Sequence, residues 1–320
     1  MLTAKNNLAR GYTIALISAV FLSTTAPFIR HLTNTYHLPA LVLAFWRDVF
    51  VVLTLLPILA LVRPALLRPS RANLRYLAGY GLLMAAFNSI WTTSVVLNGA
   101  AVSTVLAYCS AAFTALLGWW FLRERLDWVK ILAVVLSLGG CVLVADALTA
   151  AAWRTNLAGI LIGILSGLAY AIYTLMGRSA SERGLNPWTT LLYTFGFASV
   201  FLLLINLLPG GFLPGAASRA SDLLWLQDSL PGWGILFLLA AGPTVTGFGL
   251  YMTSLTYLPS SVVNLVATLE PAFTALIATI FLNERLTLLQ LGGALLILSG
   301  VVFLRLYEGW LANQTAPHTA

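Results

Sequence analysis

Three residues in this chain of 320 stand where charge is expensive. Glu270 lies about ten residues into an apolar run, and a run of roughly 20 is needed to cross a bilayer, so Glu270 falls near the midplane. A carboxylate in hydrocarbon is costly and faces a cavity or a partner. Pro271 follows it and removes a backbone donor, which loosens the helix there. An acid so placed suits proton binding or contact with a substrate amine. The plainer alternative is a hydrogen-bonded Glu that closes a helix-packing network. Arg47 and Asp48 are the other two intramembrane charges. As helix neighbours they project about 100° apart and are not expected to pair. Arg47 can meet a substrate carboxylate or that of Glu270. The favoured reading is structural, with Arg47 snorkelling outward to fix its helix.

Polar and aromatic groups recur at mid-span positions: Asn88 and Trp91, Tyr108, Tyr170 and Tyr173, Thr246 and Tyr251, and Asn264. Ser23, Thr24 and Thr25 precede Pro27. Singly, each reads as interhelical glue. Together they can line one central cavity with stacking faces and hydrogen-bonding groups. Other chemistries find no support. There is no phosphate-binding glycine loop, no zinc-protease motif and no Ser-His-Asp-like set. His31, His37 and His318 show no metal-ligand spacing, so no metal and no cofactor is expected. Cys109 and Cys141 lie inside apolar segments and read as packing residues.

The elements that position these residues follow from composition. The chain is 60% hydrophobic and 8% charged, against about 25% charged in a soluble domain. Its mean hydropathy is +0.91. An all-α integral membrane protein is expected, embedded in the lipid bilayer. The net charge of +7 reflects Lys and Arg retained on one side rather than affinity for nucleic acid. Ten spans are counted: 11–30, 39–62, 74–97, 101–122, 129–147, 156–177, 188–209, 233–257, 260–282 and 287–307. Lys5 and Arg10 resemble a signal-peptide start, but the run behind them reads as an uncleaved first span. With the N-terminus inside, Arg63, Arg68, Arg71, Arg75, Arg123, Arg125, Lys130, Arg178, Arg183 and Arg305 join them in the cytoplasm. Arg30, Arg154, Arg219 and Arg285 fall outside, a clear positive-inside bias. Most tryptophans fall near span ends; Trp46 and Trp91 do not.

The chain is also duplicated. AAFTALLGWWFLRERL, residues 111–126, returns as PAFTALIATIFLNERL, residues 271–286. Gly11, Ala15, Ala19 and Ser23 form a ladder of small residues at every fourth position, and Gly159, Gly163, Gly167 and Ala171 form a second. Such faces let helices approach closely, and can let spans 1 and 6 rock against neighbours. The join falls near residues 146–155, with an extra insertion at 210–232 that is expected to hold a short amphipathic helix around Ser221 to Gln227. The divisions are 1–150, spans 1 to 5; 151–310, spans 6 to 10; and 311–320, a disordered tail. Five spans per half is odd, so the halves enter the membrane in opposite senses, as an inverted repeat of two five-helix halves. Gly242-Pro243, with Gly247 and Gly249, marks a break in span 8. Glu124 and Glu284 beside Arg125 and Arg285 read as ion pairs at span boundaries.

These motifs resemble the EamA-type repeats of the drug/metabolite transporter superfamily, over about residues 11–305. The second copy, LEPAFTAL through FLNERL to LGGALLILSGVV, is the closer match. The resemblance implies ten helices with both termini cytoplasmic, and a cavity lined by spans 1, 3, 4, 6, 8 and 9. It also implies alternating access that moves small metabolites, often amino acids, outward across the plasma membrane. The first span departs from the tryptophan-glycine pattern common there and reads LSTTAPFIR. The expected activity is export of small polar or amphipathic solutes. Glu270 serves coupling, to protons, or binds an amine; the hairpins of spans 3–4 and 8–9 serve as gates. Rival readings are a sugar-phosphate or nucleotide-sugar antiporter, which wants several cations where only Arg47 is available. Others are a membrane enzyme acting on lipid and a lipid-flipping or assembly protein.

Overall fold

The computed structural model describes residues 2–98, 100–144, 157–208, 213–282 and 287–314, and these are helical with short connections. In chain order the α-helices are α1 (Leu2–Leu22), α2 (Thr25–Thr35), α3 (Ala40–Val62), α4 (Arg71–Asn98), α5 (Ala100–Ala107), α6 (Ser110–Phe121) and α7 (Trp128–Val144). They continue with α8 (Leu157–Glu182), α9 (Pro187–Asn206), α10 (Leu230–Leu239), α11 (Gly249–Ser254), α12 (Ser260–Ala267), α13 (Glu270–Leu282) and α14 (Leu288–Gln314). Among the described residues, six stretches are long and apolar enough to cross a membrane: Asn7–Thr35, Ala40–Val62, Arg71–Asn98, Ala158–Glu182, Pro187–Asn206 and Leu230–Ser254. Large apolar side chains such as Leu53, Leu61, Trp120 and Leu204 point outward. On a soluble protein such a surface would be a liability; here it faces lipid. The chain is a multi-pass membrane protein.

Among the described residues, four of the expected spans are irregular. Span 1 breaks at Ser23–Thr24, where both hydroxyls fold back onto carbonyls, Ser23 on Val20 at 2.6 Å and Thr24 on Phe21 at 2.8 Å. Pro27 has no N–H to give the carbonyl of Ser23. The hydroxyl of Thr274, from α13, takes its place at 2.9 Å. Span 4 breaks between α5 and α6 at Tyr108–Cys109, and span 9 between α12 and α13 at Thr268–Leu269. These two breaks occupy matching positions of the duplicated sequence. Span 8 does not break at Gly242-Pro243 as expected. It runs on as a π-helical stretch, Ala240–Phe248, whose wider turn accommodates Pro243.

The halves interleave. α8 packs on α4, α5 and α6, while α1 packs on α11, α12 and the π-helical stretch. α3 lies against α9, and α7 against α14. The glycine ladder of α8 makes the first contact possible. A Cβ on Gly163 would stand 2.4 Å from the Leu106 side chain, and one on Gly167 3.0 Å and 3.1 Å from the carbonyl oxygens of Leu106 and Ala107. So α8 backs directly onto the break in span 4. The residues around 220 form a five-residue 3-10 helix, Ala220–Leu224, rather than an amphipathic α-helix. They cover the ends of α2 and α3: the Trp46 indole donates to Leu223 O at 2.6 Å and that of Trp225 to Tyr36 O at 3.0 Å. Trp46 therefore sits beside this surface segment, although the sequence puts it inside a span. α14 extends to Gln314, so the stretch expected to be a tail from 311 begins as helix. The join at 146–155 lies outside the described residues.

Gly167→Ala should lower the thermal unfolding midpoint in detergent, because its methyl meets fixed backbone oxygens, at a cost of about 1–3 kcal/mol. Gly79→Ala, where an added methyl would meet nothing within 4 Å, should leave the midpoint unchanged or raise it.

Candidate functional site

The irregular points of the spans converge on one cavity. Leu22 and Thr25 come from the break in span 1, Ala107 and Tyr108 from that in span 4, Phe248 from the end of the π-helical stretch, and Glu270 from the start of α13. Arg47 of α3, Phe87, Asn88 and Trp91 of α4, Thr104 of α5 and Tyr170 of α8 complete the wall. Helix can be interrupted at membrane depth only where the freed backbone is buried in protein or faces water, and here the interruptions are gathered together. The free space is about 40 Å³, enough for a few waters and too little for an amino acid.

Glu270 is the first residue of α13, so its carboxylate sits at the positive end of that helix. The Tyr108 hydroxyl donates to its Oε2. The residue is 7% exposed. Across the wall, Arg47 is 1% exposed and does not snorkel. Contrary to expectation it touches its neighbour, with Nε 3.4 Å from Asp48 Oδ1. A long side chain can curl back along the helix, which the angle between Cα–Cβ bonds does not forbid. Asp48 also accepts from the Asn88 amide nitrogen, which lies 2.9 Å from Oδ1 and 2.7 Å from Oδ2 and shares one N–H between them. That arrangement leaves Arg47 Nη2, Asn88 Oδ1 and the Thr25 hydroxyl buried without partners among the described residues. Ring faces line the rest: Phe87 stacks on Tyr170 with centroids 5.2 Å apart and planes 13° apart, and lies 6.4 Å from Trp91.

A second polar cluster ties the halves behind the cavity. Ser110, the sequence counterpart of Glu270, donates to Asn264 Oδ1 at 3.0 Å. The Asn264 amide reaches Thr174 at 3.2 Å and Tyr251 at 3.4 Å. Tyr173 packs against Phe87 and Tyr80.

At one end of the cavity spans 4 and 9 are clamped together. Glu124 Oε1 accepts from the Ser260 amide at 2.8 Å and hydroxyl at 2.5 Å; Oε2 accepts from the Ser261 amide at 3.2 Å and hydroxyl at 2.5 Å. One carboxylate thus caps the first turn of α12, a position favoured by the helix dipole. Arg123 adopts a left-handed backbone, φ 53°, which turns Glu124 back under α6. Such a conformation costs a non-glycine residue about 1–2 kcal/mol. The sequence reading of Glu124 as half of an ion pair is corrected: its partners are the serines. Glu284 and Arg285 lie outside the described residues.

The EamA-like transporter family model matches residues 9–145 and again 157–306, nearly the whole chain in two copies. The chain belongs to this family. An uncharacterized transporter of Archaeoglobus fulgidus is 29% identical over 91% of this chain and 95% of its own length. The threonine/homoserine exporter RhtA of Escherichia coli is 27% identical over 73% of this chain and 72% of its own length. A crystal structure 15% identical in sequence superposes with a TM-score of 0.72 over 94% of this chain and 98% of that one, and so shares the fold. Family and relatives are transporters, not enzymes.

Of the residues singled out from the sequence, Glu270, Arg47, Asn88, Trp91, Tyr108 and Tyr170 stand in the cavity wall. Tyr173, Tyr251 and Asn264 form the layer behind it. Thr24 and Thr246 are not brought to the wall; Thr25 and Phe248 occupy those places. The sequence reading also passed over Asp48 as the group that holds Arg47 and Asn88, over Phe87, and over Glu124 as a clamp. The only sequence signal for Glu124 was its recurrence as Glu284.

Glu124→Ala removes the acceptor of two backbone amides. Their exchange with deuterium, followed by mass spectrometry, should speed up at Ser260 and Ser261 by roughly 10-fold or more, while the core of α4 is unaffected.

Proposed function

We propose that this EamA-family chain is a secondary transporter that exports amino acids or similar amphipathic solutes across the plasma membrane by alternating access, with protons and substrate amine exchanging at Glu270. The observation that carries this reading is the small cavity built where the spans break, with an acid in its wall held by one tyrosine. Discontinuous helices around a midplane site are a recurring device of such carriers. Ten crossings, arranged as an inverted repeat with both termini cytoplasmic, fit the interleaving. The packing of α8 on α4 and α5 is mirrored by that of α1 on α11 and α12, and α3–α9 and α7–α14 pair like with like. The relationship to RhtA supports amino acids as cargo.

In this reading the Glu124 clamp is the closed gate between spans 4 and 9 on the cytoplasmic side, where the positive-inside rule places Arg123 and Arg125. A charged Glu270, buried with one tyrosine as its hydrogen-bond donor, calls for a balancing cation or a proton. It exchanges a substrate ammonium for a proton, and either one permits the site to face the opposite side. Tyr108, which touches its carboxylate, and Arg47, which shares its cavity, are the groups that set this exchange. A sugar-phosphate antiporter is disfavoured because Arg47 is the cation of the wall, facing two acids, Asp48 and Glu270.

The test is flux from proteoliposomes loaded with a pool of amino acids, with and without an imposed proton gradient. The wild-type protein should release selected amino acids faster when protons can run the opposite way. Glu270→Gln should lose the response to the gradient. Gradient-dependent release that survives this substitution would remove Glu270 from coupling.

A further inference from the structure

The cavity wall offers more hydrogen-bonding capacity than the protein itself uses. Arg47 turns Nε to Asp48 and leaves Nη2 without an acceptor. Thr25 presents a hydroxyl with no partner. Asn88 gives its amide nitrogen to both oxygens of Asp48 and leaves Oδ1 without a donor; these three open atoms lack partners among the described residues. All three are buried, and all three line the space that Glu270 lines. Native proteins satisfy nearly all buried polar groups. Nine buried side-chain polar atoms lack a partner among the described residues, and the gathering of three of them in one wall points to a ligand that completes them.

Their chemistry is specific. Arg47 Nη2 can only donate, and Asn88 Oδ1 and the Glu270 carboxylate accept; the Thr25 hydroxyl does either, and can donate alongside Arg47. We infer that Arg47 and Thr25 receive the carboxylate of the substrate while Glu270 and Asn88 receive its ammonium, so that the site selects zwitterionic amino acids over their amides, amines and N-acyl derivatives. This rests on the transporter reading and names the subsite within it. Asp48 is a positioning residue: it holds the Arg47 guanidinium by Nε and the Asn88 amide by its nitrogen, and so fixes two side chains that line the cavity. One cation facing two acids leaves no room for a dianion such as phosphate, whereas a zwitterion brings no net charge. The ring faces of Phe87, Trp91 and Tyr170 then meet the substrate's side chain.

The test is ligand-induced stabilisation of the purified full chain in detergent, with each of the twenty standard L-amino acids as probe. The amino acid with the largest effect is then compared with its own amide and its own N-acetyl derivative. The wild-type protein should bind the amino acid roughly 10- to 100-fold more tightly than the amide, the range for a hydrogen bond to a charged group. Arg47→Gln should bring that ratio towards one and leave the preference over the N-acetyl derivative intact. Thr25→Val guards against a failure of Arg47→Gln to fold. It replaces an unsatisfied hydroxyl by a methyl of similar shape, so the ligand-free protein should be as stable or more so, while the acid-over-amide ratio falls several-fold. An amide that binds as well as the acid, a ratio unmoved in both variants, or no stabilisation by any of the twenty overturns the subsite. The flux assay separates the two claims: amino acid release by a wild-type protein that ignores the amide distinction sinks the subsite and leaves the transporter standing.

Discussion

Backbone polar groups in hydrocarbon must be satisfied from within the protein, and the architecture follows from that constraint. A continuous helix meets it automatically. A broken one meets it only where protein or a cavity covers the break. This chain breaks spans 1, 4 and 9 and widens span 8, and brings those places together. The carbonyl freed by Pro27 is taken by Thr274 from the opposite half. The break at Tyr108 is backed by Gly163 and Gly167, whose lack of side chains lets α8 lie against bare backbone. The breaks in spans 1 and 4 are thus each supported by the other repeat.

Duplication explains the scaffold, and divergence explains the chemistry. Spans 4 and 9 break at matching positions, but the residues there differ: Tyr108 faces Thr268 in the alignment, and Ser110 faces Glu270. The first copy supplies the hydroxyl and the second the acid, and the Tyr108–Glu270 hydrogen bond joins them across the centre. Ser110 meanwhile engages Asn264. A symmetric frame therefore carries an asymmetric site. The Glu124 clamp follows the same logic, since an acid at the end of span 4 caps the first turn of span 9.

Much of this was legible in the sequence. An acid followed by proline in an apolar run, two ladders of small residues, and a motif repeated without gaps pointed to the site, the close packing and the two halves. What escaped detection depends on rotation and distance. Three adjacent hydroxyls, Ser23 to Thr25, cannot be ranked without knowing how the helix turns at its break, and Thr25 is the one that faces the cavity. The π-helical stretch shifts the phase of span 8, which takes Thr246 off the wall and puts Phe248 on it. Arg47 and Asp48 meet because a long side chain bends, a freedom that helical spacing does not describe. The serines that hold Glu124 lie more than a hundred residues away, beyond the reach of any local pattern.

The central claim is that Glu270 holds either a proton or the substrate's ammonium. Its most direct test is the pH of a lightly buffered solution of purified protein when a stabilising amino acid is added. The account predicts that saturating substrate releases protons from the wild-type chain, and that Glu270→Gln, still folded and still closed by its Glu124 clamp, releases none. Substrate binding to the wild-type protein with no proton release, or release that persists in Glu270→Gln, would contradict it.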